Sequence, residues 1–174
     1  MKSNKFQISA FSFVMILLLV SCGGSEEKSS GSDILSDEGL VIGRIINEES
    51  THVLANYETA GLKKPRSIQA DAVDKKTGSP VTPNATEIYV GFYKSTMGPK
   101  DVEVRFYATH ADAITDGQPP ADKTIAVGHE AGGAVKGAGT FAKSSYGAYI
   151  ISGNVVVLCQ VQIEVCDELV AGLE

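Results

Sequence analysis

Between Glu87 and Tyr107 the chain alternates apolar and polar side chains twice, and this pattern limits its folds more than any other. Ile88, Val90 and Phe92 alternate with Glu87, Tyr89 and Tyr93. Val102, Val104 and Phe106 then alternate with Glu103, Arg105 and Tyr107, and Met97-Gly98-Pro99-Lys100 lies between the two runs. Period-two alternation belongs to strands with one buried face, and the spacing predicts a β-hairpin. A second hairpin is expected from Tyr146–Ile151 and Asn154–Cys159, turning at Ser152-Gly153-Asn154.

The intervening segments read as helices. Leu40, Val41, Ile45 and Ile46 suggest an apolar helical stripe within Ser36–Ala60, with Ser50 or Thr51 as a cap and Gly61 as a stop. Leu62–Asn84 carries Pro65, Pro80, Pro83 and Thr77-Gly78-Ser79; it is expected to be irregular, with a short edge strand at Ser67–Val73. His110–Val127 is expected to be helical from a Thr109 cap, broken at Gly117 and Pro119-Pro120. Four strands in two hairpins, packed against helices, predict an α+β two-layer sandwich with a mainly antiparallel sheet.

Residues 1–21 are a different kind of segment. Lys2 and Lys5 are followed by an apolar stretch from Phe6 to Val20, shorter than the roughly 20 residues of a spanning helix. Charge, apolar core and small residues in this order are those of an export signal. Its end, Leu19-Val20-Ser21-Cys22, resembles the lipobox of bacterial lipoproteins. That resemblance covers residues 1–22 and implies cleavage before Cys22, diacylglyceryl transfer to its sulfur and acylation of the new amine. Two or more acyl chains anchor stably where one does not. The retention signal of some two-membrane bacteria is Asp after the cysteine. Gly23 stands there instead, which leans towards the outer membrane in such a host. Residues 22–32, Gly/Ser-rich beyond the cysteine, read as a flexible tether, leaving residues 33–174 as one domain.

Export makes the remaining cysteines informative. Cys159 and Cys166 are an even pair in an oxidising compartment, which suggests a disulfide. Seven residues span about 10.5 Å on a helix and more than about 20 Å on a strand. A bridge needs Cα atoms within about 7 Å, so the chain must turn between them. A strand through Val155–Leu158 followed by a helix from near Gln162 would do this. The alternation of Cys159, Val161, Ile163 and Val165 with Gln160, Gln162 and Glu164 would instead extend the strand and forbid the bridge.

Charge and motifs mostly exclude. The formal net charge is −6, and removing residues 1–21 leaves 13 basic against 21 acidic side chains. Such a body repels nucleic acid and favours a basic partner over a polyanion. The glycine-dense run Gly128–Thr140 has neither a Gly-Lys-Ser/Thr ending nor Gly-x-Gly-x-x-Gly, so it lacks phosphate-binding spacing and reads as a surface loop. Gly-x-Ser-x-Gly is absent too. No cofactor or metal is expected.

Two candidate sites remain. Tyr89, Tyr93, Arg105 and Tyr107, assigned to the outward face of the first hairpin, are of types enriched in binding surfaces. His110, Asp112 and His129 would serve an envelope hydrolase if the fold gathered them. The leading expectation is a non-enzymatic lipoprotein of the cell envelope, held to a membrane through Cys22 and binding a protein or small ligand. The alternatives are a structural or assembly accessory without a ligand, and that hydrolase.

Overall fold

The computed structural model describes residues 31–37, 39–130 and 146–173, and of residues 128–130 the backbone alone. The expected signal segment, Cys22, nearly all of the expected tether and the glycine run beyond Glu130 lie outside the described residues.

Among the described residues, seven strands form one mixed sheet: β1 (Ser32–Leu35), β2 (Val41–Ile46), β3 (Lys63–Ile68), β4 (Glu87–Ser95), β5 (Gly98–Phe106), β6 (Tyr146–Ser152) and β7 (Val155–Gln160). Their order is β1-β2-β6-β7-β5-β4-β3. The β2–β6 pair is parallel and the others are antiparallel. The expected sheet of about four antiparallel strands is therefore corrected, within a fold that is still α+β.

The two-layer expectation is corrected as well. On one face α1 (Leu54–Ala60) and α4 (Ile163–Val170) pack against Val102, Val104, Phe106, Ile150 and Val157. On the other, a helix formed by α2 (His110–Asp112), a π-turn (Ala113–Gly117) and α3 (Gln118–Glu130) packs through Ala113, Ala121 and Ile125 against Tyr149, Ile151, Val156 and Leu158. The physical reason lies in β7. Val155-Val156-Val157-Leu158 is apolar at every position, so both of its faces must be covered.

The largest difference in the first third is β2. Val41, Ile42, Ile45 and Ile46 are β-branched, a type that loses side-chain freedom in helices and packs well on a pleated surface. Here the segment is a strand between β1 and β6, with Val41 opposite Leu35 of β1, and Gly43 opposite Tyr149 and Ile45 opposite Ile151 of β6. The helix is confined to α1. It is capped by Asn56, whose side chain accepts from the Val53 N–H at 2.9 Å, and not by Ser50 or Thr51. It stops at Gly61 as the sequence suggests. Pro119 and Pro120 lie inside the first turn of α3, immediately after the π-turn, where their missing N–H groups are withdrawn from the ladder.

The chain does turn between the cysteines. Val161 takes a left-handed backbone (φ 80°), ending β7, and α4 starts two residues later. Gly147 permits this turn: a Cβ there would collide with the Val161 carbonyl. The Cα atoms of Cys159 and Cys166 are 5.6 Å apart, at disulfide distance, and both residues are fully buried against α1 and the sheet. Thiol titration of unfolded, unreduced protein should find neither cysteine free. Replacing both by Ala should cost roughly 2–3 kcal/mol for so short a loop, read from urea unfolding.

Candidate functional site

The register of β4 against β5 places the expected binding residues. Ile88 is opposite Arg105, and Tyr89 is opposite Val104. The alternation within each strand is as read from the sequence, but the polar face of one strand adjoins the apolar face of the other. Tyr89 and Tyr93 pack against the core on the α4 side, the Tyr89 ring 6.1 Å from that of Phe106 and the Tyr93 hydroxyl donating to the Glu168 carbonyl at 3.3 Å. Arg105 and Tyr107 point to the opposite side and are buried. The four residues do not form one exposed face.

Arg105 is held by Glu103, to whose Oε1 its Nε donates at 2.6 Å. The Arg105 Nη1 and the Tyr107 hydroxyl have no hydrogen-bond partner among the described residues. Burial pushes the Tyr107 hydroxyl up to about 12. This ion pair lies within β5, between residues two apart, and desolvation offsets most of its attraction, so it adds little to stability.

His110, Asp112 and His129 are not gathered. His110 and His129 stand at opposite ends of one helical run, about 28 Å apart at 1.5 Å per residue. The His110 Nδ1 meets the Gly153 carbonyl at 2.7 Å. Asp112 belongs to the helix start: its N–H donates to the Thr109 hydroxyl at 3.1 Å, and its carboxylate accepts from that hydroxyl at 2.7 Å. Thr109 is thus the cap expected from the sequence. No cluster of three metal-ligating side chains occurs among the described residues.

A buried polar network that the sequence did not signal surrounds the tip of the β6–β7 hairpin. Asn154 accepts from the His52 N–H at 2.7 Å and donates to the carbonyls of Tyr107 at 3.0 Å and His52 at 3.3 Å. The Ser152 hydroxyl lies 3.3 Å from the His52 Nε2. This resembles a nucleophile–base pair in distance only. Ser152 is fully buried, so no substrate reaches it. The network fastens the segment before α1 to the centre of the sheet.

A concave feature lies elsewhere, beside the N-terminus of α4. A cleft of about 450 Å³ is lined by residues of the β2 region, Gly147 and the chain from Val161 to Asp167. That size suits a small ligand. Leu40, Val41, Ile42, Val161 and Ile163 form its apolar walls, and Arg44, Glu164 and Asp167 its charged groups. Arg44 donates through Nε to Asp33 at 2.6 Å and through Nη1 to Asp167 at 2.5 Å, tying β1, β2 and α4 together. The Asp33 hydrogen bond is the largest influence holding the guanidinium charged. For Asp167, burial outweighs the attraction of Arg44, and its carboxyl stands above the usual range. Sequence reasoning missed Arg44, because its partners lie on another strand and on a helix that only the tertiary fold brings together.

A family of unknown function (DUF6810) matches residues 73–133, about a third of the chain, covering the segment before β4, the β4–β5 hairpin and the helical run. No curated protein and no solved structure matches.

Burial lowers the basicity of His52 below its ordinary 6.5, so the folded state resists its protonation. The unfolded chain then binds more protons below pH 6.5, and stability falls as pH drops through that window. Urea midpoints should be lower at pH 5.5 than at pH 7.5. A His52→Asn variant, less stable at both, should show a smaller difference between them.

Proposed function

We propose that this chain is a lipid-anchored protein of the cell envelope whose folded domain is a non-catalytic binding module. The cleft between β2 and the N-terminus of α4 carries the binding half of this reading: it combines apolar walls with a few charged groups, the usual make-up of a ligand site. The anchoring half rests on the order of charge, apolar core and Leu19-Val20-Ser21-Cys22 in the sequence. No helix among the described residues is long and apolar enough to cross a membrane. The bound partner is a small ligand or a protein of the envelope, and the acidic balance of the chain disfavours nucleic acid.

Membrane fractionation tests the anchor. Cys22→Ala should move the protein from the membrane pellet to the soluble fraction and abolish incorporation of labelled palmitate. Unchanged retention in the pellet would refute lipid attachment at Cys22.

A further inference from the structure

We propose that the cleft beside α4 takes a small amphipathic amine, a primary ammonium carried on an apolar chain. This rests on the binding-module reading above and names the chemistry of its ligand.

Arg44 is the group in the cleft that would otherwise call for an anion. Recognition of a carboxylate or phosphate by arginine uses a free pair of N–H donors. Nε already donates to Asp33 at 2.6 Å and Nη1 to Asp167 at 2.5 Å, so the charge of Arg44 is matched by two carboxylates, although three of its five N–H groups remain. Next comes the charge balance. Among the cleft's own charged groups one cation, Arg44, stands with two carboxylates, Glu164 and Asp167, a net of one negative charge. The N-terminus of α4 contributes about half a positive charge, which still leaves roughly −0.5. An anionic ligand is therefore repelled, and a cation is attracted.

Position makes the cation specific. Glu164 and Asp167 are three residues apart on α4, so their carboxylates share one side of the helix and repel each other. Glu164 is exposed and forms no salt bridge among the described residues. An ammonium offers three donors on a compact charge, enough to bridge two carboxylates. The remaining lining is apolar, from Leu40, Val41 and Ile42 on one side to Val161 and Ile163 on the other. Val161, 55% exposed, leaves apolar surface for an alkyl chain to cover.

The test uses the full chain in nanodiscs of zwitterionic lipid, with Ile, Leu and Val methyl groups labelled for NMR. The probes are n-hexylammonium, hexanoate and 1-hexanol. Hexylammonium should shift the methyls of Leu40, Val161 and Ile163 and leave those of Val81 and Val127, exposed on other elements, in place. It should bind more tightly than hexanol, and hexanoate should not bind. Glu164→Gln should weaken hexylammonium about threefold, in the range of an exposed ion pair, and Glu164→Lys should abolish its binding. Both variants change an exposed side chain, and the methyl spectrum itself verifies their fold. Hexanol binding as tightly as hexylammonium, or any binding of hexanoate, would overturn the amine assignment and leave a small-ligand cleft standing. If none of the three probes moves the cleft methyls, both the amine assignment and the cleft as a small-ligand site fall.

Discussion

The architecture depends on burying the β6–β7 hairpin from both sides. Along β7, Val155, Val157 and Cys159 enter the core with α1 and α4, while Val156 and Leu158 enter the core with α3. Each fully buried Val or Leu contributes about 1.5–3 kcal/mol of apolar transfer, so exposing either face would forfeit much of a domain's net stability. Two helical layers follow from this requirement.

A hairpin buried this deeply leaves polar groups at its ends to be satisfied. At the turn, Gly153 adopts a left-handed conformation (φ 55°), and Asn154 supplies the hydrogen bonds to His52 and Tyr107. At the other end, Gln160 and Val161 lead out of the sheet, and Cys159 meets Cys166 across the turn. One end is fastened by hydrogen bonds and the other by the cysteine pair. Arg44 makes a third attachment, because its two carboxylate partners come from the edge strand and from α4. The outer strands β1 and β2 are thus tied to the helix whose start forms one wall of the cleft.

What could be read from the sequence was local. The strands of both hairpins, the Thr109 cap, the Gly61 stop and the turn between the cysteines are each encoded within a few residues, and each is present. The failures are non-local. Val41–Ile46 carries β-branched residues that fit a strand, but its spacing also allowed a helical stripe, and pairing with β6 about a hundred residues later decided between them. The face assignment of Tyr89, Tyr93, Arg105 and Tyr107 failed for a related reason. Alternation fixes which residues of one strand share a face, whereas register fixes which face of the next strand adjoins it, and matching apolar to apolar gave the wrong register. The cleft was illegible for the same cause, since its walls come from three segments joined through a parallel pair.

That parallel pair also separates scaffold from site. The family match, residues 73–133, takes in the β4–β5 hairpin and the helical run that covers one side of the sheet. The cleft is built from residues 40–44, Gly147 and residues 161–167, all outside that match. A protein sharing only the matched segment shares the framework on which β6 and β7 lie, and not the groups that would meet a ligand. Changes in β2 or at the start of α4 can therefore alter the charge and shape of the cleft while leaving the β4–β5 framework intact. The chemistry of the cleft resides in Arg44, Glu164, Asp167 and their apolar neighbours in this chain, because a fold does not carry a function from one protein to another.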